Sequence, residues 1–128
     1  MSYYFTKVLD LPFEDAIARV TDELQKEGFG ILTDIDVKAV MKKKLGANFR
    51  NYRILGACNP PFARQALIAE DKIGTMLPCN VVVQEHAPGA VEVSAIDPVA
   101  SMMAVDNEQI AAVAGVVRTK LQRVIESL

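Results

Sequence analysis

The stretch "CNVVVQEHAPGAVEVSAI", residues 79–96, limits what this chain can fold into more than any other segment. Two valine-bearing runs flank a short "APG" break, so the pattern reads as two strands joined by a turn set at Pro88-Gly89. A connection that short joins antiparallel neighbours, because parallel strands need a crossover of roughly a dozen residues or more. A doubly wound parallel sheet is therefore the wrong template, and the remaining elements have to be added to a hairpin.

Around the hairpin, strands and amphipathic helices alternate. Residues 3–8, "YYFTKV", are aromatic and β-branched and read as a first strand. Pro12 opens a helix on which Phe13, Ala16, Ile17, Val20 and Leu24 recur at helical spacing, and Gly28 stops it. In "FGILTDID" the alternation puts Phe29, Ile31, Thr33 and Ile35 on one side of a second strand, and Asp36 can cap the helix "VKAVMKKKL" that Gly46 ends. "YRILGAC" is a third strand. Asn59 then offers an N-cap and Pro60 a first helical residue for "PPFARQALIAED". After the hairpin, Asp97-Pro98 leads into a Met-rich connection, and Asp106 with Gln109 as capping-box partner opens the last helix. Its stripe is Ile110, Val113, Val117, Leu121, Val124, Ile125 and Leu128. The order β-α-β-α-β-α-β-β-α predicts an α+β domain, with helices packed on a mixed or antiparallel sheet.

At 128 residues and 51% hydrophobic content, the chain suits a single domain over residues 1–128 with a core of ordinary size. A net charge of -2 argues against a general nucleic-acid binder. No apolar run approaches the roughly 18 residues of a membrane span, and "MSYYFTKVLDLPFED" lacks the features of a secretory leader. The expectation is a cytoplasmic chain with no membrane role, whose two cysteines remain thiols.

The dipeptide Cys-Asn occurs twice, in "GACNPPFARQAL" and in "LPCNVVV". Together with the later "AIDP", these motifs resemble the bacterial and archaeal family called domain of unknown function 302, over nearly the whole chain. The resemblance implies a TATA-binding-protein-like α+β fold, a curved mostly antiparallel sheet of about five strands backed by helices, and a dimer, with no established activity. Its recurring positions carry over to Gly56, Cys58, Asn59, Pro60, Ala66, Pro78, Cys79, Asn80, Asp97 and Pro98. The fold name brings no DNA-binding function with it.

The chemistry on offer is sparse. A thiol at a helix N-terminus feels the positive end of the macrodipole, which favours thiolate and makes Cys58 a candidate nucleophile with Cys79 as its resolving partner. The simpler reading is a small buried apolar side chain. If the third and fourth strands are antiparallel neighbours, Cys58 lies beside Cys79. A zinc site from Cys79 and His86 fails, because seven residues along one strand put them on opposite faces and roughly 23 Å apart. Lys38, Lys42, Lys43, Lys44, Arg50, Arg53 and Arg64 crowd residues 37–69, which hold no acid, and read more simply as a solvated surface than as a docking segment. Met76, Leu77, Met102 and Met103 suit a deformable pocket or a gap-filling core. Ala111, Ala112 and Gly115 would let another helix or a dimer mate approach.

From these residues the expected function is a binding module for a small apolar or amphipathic ligand. Its site would be formed by Cys58, Asn59, Pro60, Cys79, Asn80, Asp97 and Met102, in a homodimer with no metal and no cofactor. The rivals are a thiol-based redox or transfer protein using Cys58 and Cys79, and an interaction domain docking through residues 37–69.

Overall fold

The computed structural model describes residues 2–128 as an α+β fold. Five strands, β1 (Tyr4–Leu9), β2 (Gly30–Asp36), β3 (Tyr52–Cys58), β4 (Cys79–Ala87) and β5 (Ala90–Ile96), form one sheet in the order β1-β5-β4-β3-β2. Every neighbouring pair is antiparallel. The β4–β5 hairpin is central, and Gly89 takes a left-handed φ of 77° at its turn, a conformation that glycine adopts without strain.

Helices α1 (Phe13–Lys26), α2 (Val37–Leu45), α3 (Pro60–Ala69), α4 (Pro98–Ser101) and α5 (Glu108–Glu126) connect or follow these strands, with a single 3-10 turn at Ile73–Met76. The core lies between one sheet face and the helices α1 and α5. Leu55, Val81, Val83, Val91, Val93 and Ala95 meet Ala16, Val20, Leu24, Leu121, Val124 and Ile125 there. Full burial of each valine or leucine contributes about 1.5 to 3 kcal/mol, so this layer dominates the stability. Among the described residues no helix is long and apolar enough to cross a membrane.

Several local expectations are corrected. The even alternation in β2 breaks at Leu32, where a bulge lies between Ile31 and Thr33. One extra residue turns the following side chains over. Ile31 packs on the core, but Thr33 pairs with Gly56 and Ile35 with Ile54, and both are exposed on the far face of the sheet. The last helix is capped by Asn107 rather than Asp106. The Asn107 side chain accepts from the N–H groups of Gln109 and Ile110, which leaves Gln109 out of capping-box position. The Met-rich connection begins with the short helix α4, because Asp97 Oδ1 accepts the Val99 N–H and Pro98 supplies a pre-set first residue. By contrast Asp36 caps α2 as its sequence suggests, accepting from the Ala39 N–H at 3.0 Å.

Candidate functional site

A cavity of about 300 Å³ lies between α3, α4, α5, the 3-10 turn and the ends of β2, β3 and β4. It exists because α3 stands off the sheet and buries only Ala66. The residues α3 turns inward, Asn59, Phe62, Ala63, Ala66 and Leu67, follow a helical period, with two alanines where bulk would otherwise fill the gap. Opposite them α5 presents Ile110, Val113, Ala114 and Val117, while Ala57, Cys58, Pro78 and Cys79 form the floor. The bulge residue Leu32 joins the wall although it is largely exposed, as does Leu67, so both mark the opening.

The two Cys-Asn motifs meet through the register of β3 and β4, in which Ala57 pairs with Cys79 and Gly56 with Asn80. Cys58 is half-buried, Cys79 is buried, and neither is in a disulfide. Asn80 sits one residue further along β4, so it projects from the opposite face of the sheet. There it lines a shallow concavity with Tyr3, Tyr4 and Tyr52, away from the cysteines.

Asn59 holds the N-cap position without capping through its side chain. A capping side chain bonds the N–H of the second or third helical residue, and the second here is Pro61, which has none. The Asn59 amide turns instead to donate from Nδ2 to the Glu27 carbonyl at 3.0 Å. Glu27 in turn binds Arg123 at 2.8 Å and Lys120 at 3.8 Å, so one residue ties the end of α1 to the start of α3 and to α5. The hydrogen bond from Arg123 is the main cause that lowers the Glu27 carboxyl pKa.

Of the other expected site residues, Met102 lines the cavity and Leu77 joins it, whereas Met103 is 70% exposed and belongs to no cavity wall. Pro60 starts α3 and lies outside the wall. Asp97 is buried, with Oδ1 on the Val99 N–H and Oδ2 accepting from Arg118 Nε at 3.1 Å, so its carboxylate is spent on structure and the neighbouring Pro98 reaches the cavity instead. His86 faces Glu92, away from both cysteines. In the basic segment, Arg53 is held by Asp34 and Arg50 by Gln84, and Arg50 also stacks on Phe49 at 4.6 Å.

The chain matches the family model for DUF302, a domain of unknown function, over residues 5–128. It belongs to this family. A crystal structure of an uncharacterized conserved DUF302 protein from Bacillus stearothermophilus is similar to it, with a TM-score of 0.89 and 24% identity over 98% of each chain. Since that likeness extends over both chains at so low an identity, the DUF302 fold tolerates wide sequence change. No curated protein matches.

The thiols are poorly suited to nucleophilic work. Burial pushes the Cys58 thiol up, opposing the helix end beside it. Burial, with a smaller contribution from Cys58, pushes Cys79 from 9.0 up to about 11. A folded-state pKa above the unfolded value means that the folded chain keeps a proton which the unfolded chain would lose. The stability this provides is complete below about pH 9 and is lost as pH rises through about 11. The alkaline loss amounts to about 2 to 3 kcal/mol. We expect urea-melt stability to fall over that range and Cys79→Ala to remove this part of the slope. In native protein at pH 7.5, alkylation of Cys79 by iodoacetamide is expected to be at least about tenfold slower than for a free thiol of pKa about 8.5, and that of Cys58 to be slowed in the same direction.

Proposed function

We propose that this domain is a binding module for a small apolar or amphipathic molecule, held in the cavity beside Cys58 and Cys79. The observation that carries the reading is the open apolar cavity between α3 and α5, which half-buried Phe62 lines and whose rim leaves Leu32 and Leu67 exposed. Keeping such surface wet opposes folding, and a ligand would remove that cost. Its volume of about 300 Å³ lies at the lower end of ordinary ligand sites.

Within this reading Cys58, Asn59, Cys79 and Met102 contact the ligand, while Pro60 and Asp97 shape the site by starting α3 and α4. Asn80 contributes through the register that places Cys79. The thiols act as polarizable wall groups, kept reduced as in a cytoplasmic setting. The redox alternative is weaker, because both thiols are held protonated and no base lies among the wall residues.

A homodimer belongs to the same proposal. Val40 and Leu45 on α2 are 42% and 73% exposed, and Ala111 and Ala112 lie exposed on α5. Sedimentation at the mass of one chain alone would remove this part.

Filling the cavity tests the binding reading. Ala63→Phe, at a half-buried wall position, and Ala114→Leu are each expected to weaken binding of an uncharged fluorophore such as phenylnaphthylamine at least about tenfold, with little loss of thermal stability. Fluorophore binding that neither variant changes, or no binding at all, would eliminate the cavity as a ligand site.

A further inference from the structure

The wall of the cavity contains no Asp, Glu, Lys, Arg or His side chain. A buried carboxylate or phosphate needs a cation or a set of N–H donors, and both are withheld here. The start of α3 faces the cavity, and a helix start normally offers free N–H groups and a positive dipole end to an anion. Its first two residues are Pro60 and Pro61, which have no N–H, and the Ala63 N–H is taken by the Asn59 carbonyl at 2.9 Å, so this helix start keeps the N–H of Phe62 alone, too few donors to hold an anion.

Arg123 binds Glu27 and Arg118 binds Asp97, while Lys120, 3.8 Å from Glu27 and with its Nζ 5.9 Å from the centre of the Phe62 ring, is not among the wall residues. Arg64 lies on α3 but off the stripe that lines the cavity. One polar side chain remains in the wall, Asn59, whose Nδ2 already donates to Glu27 and whose Oδ1 can accept one bond. The two thiols are weak donors.

We infer that the ligand is uncharged: a mostly hydrocarbon molecule carrying a single hydrogen-bond donor, such as a long-chain or cyclic alcohol, with its polar end at Asn59 and its apolar body between α3 and α5. Fatty carboxylates and other anionic amphiphiles are rejected, since an ionised group inside this wall would lose its water and find no partner. This rests on the binding role proposed for the same cavity and adds the ligand class to it.

Displacement of bound phenylnaphthylamine by decanol and by decanoate at pH 8 tests it, two probes of similar length that differ in charge. Decanol is expected to displace the fluorophore at a concentration at least about tenfold lower than decanoate. Leu67→Lys places an ammonium at the rim, where 46% exposure of Leu67 leaves room for it without disturbing the fold. In that variant decanoate should gain roughly tenfold relative to decanol. Decanoate displacing as well as or better than decanol in the wild type would overturn the uncharged class while leaving the cavity role standing. A fluorophore that does not bind, or binds equally to Ala63→Phe, would instead remove the cavity role itself.

Discussion

Gly56→Val is expected to destabilise the protein by about 3 kcal/mol, measured as the shift in urea-unfolding midpoint. A Cβ at Gly56 would come within 2.1 Å of Thr33 Oγ1 and 2.7 Å of Pro78 Cγ. Thr33 can rotate its hydroxyl away, but the Pro78 ring has no such freedom, so β3 or the segment before β4 must shift. Valine's preference for strands is worth about 1 kcal/mol at most, too little to offset overlap on two sides. The smaller Gly56→Ala should show the same sign, and Thr33→Ala in that background should recover part of the loss, because the nearest clash is gone while Pro78 remains. Full stability in Gly56→Val would mean that this corner is much looser than its packing indicates.

Leu121→Ala is expected to cost about 3 to 5 kcal/mol by the same measurement. Leu121 is 0% exposed and lies where α5 crosses the sheet core, so the lost methyl groups leave a void that fixed strands cannot collapse into. Ile68→Ala on α3 is the control. With Ile68 70% exposed, outside the core and outside the cavity wall, its cost should remain within about 0.5 kcal/mol. A loss for Leu121→Ala as small as that for Ile68→Ala would mean that α5 is not anchored as described.

Both variants bear on how much of the molecule its residues announce in advance. The helix stripes of α1 and α5 were legible because burial on one side imposes a 3.6-residue period, and the residues so marked pack on the sheet, except Ile110, which packs with Ala66 and Ile73 instead. The hairpin was legible because Pro88-Gly89 separates two alternating runs. The side-chain direction in β2 was not. A bulge at Leu32 costs one residue and leaves no mark in composition, yet it reverses Thr33 and Ile35. The cap of α5 shifted by one residue for a similar reason: Asp106 and Asn107 are both good caps, and chain geometry chose between them.

The candidate site divides in the same way. Cys58 and Cys79 were expected side by side if β3 and β4 were antiparallel neighbours; the strands are such neighbours, the register sets Cys79 opposite Ala57, one residue from Cys58, and both cysteines line one cavity. Asn80 was grouped with them because a dipeptide repeat treats adjacent residues alike, whereas a strand sends them to opposite faces. Asn59 and Asp97 drew attention as polar residues beside prolines. Their side chains turned out to hold Glu27 and Arg118, which are 32 and 21 positions away in the chain. The inward stripe of α3, from Asn59 to Leu67, has a visible period, but a period does not say whether the surface opposite is a neighbour or a void.

What the sequence determined by itself was local: the elements, their order and the antiparallel hairpin, since these follow from period, turn chemistry and capping within a few residues. Only the tertiary structure decided that α3 stands away from the sheet, that the cavity wall carries no charge, and that Arg118 and Arg123 near it are paired with Asp97 and Glu27. Those properties depend on distances between segments far apart in the chain, and such distances are set by packing the core as a whole.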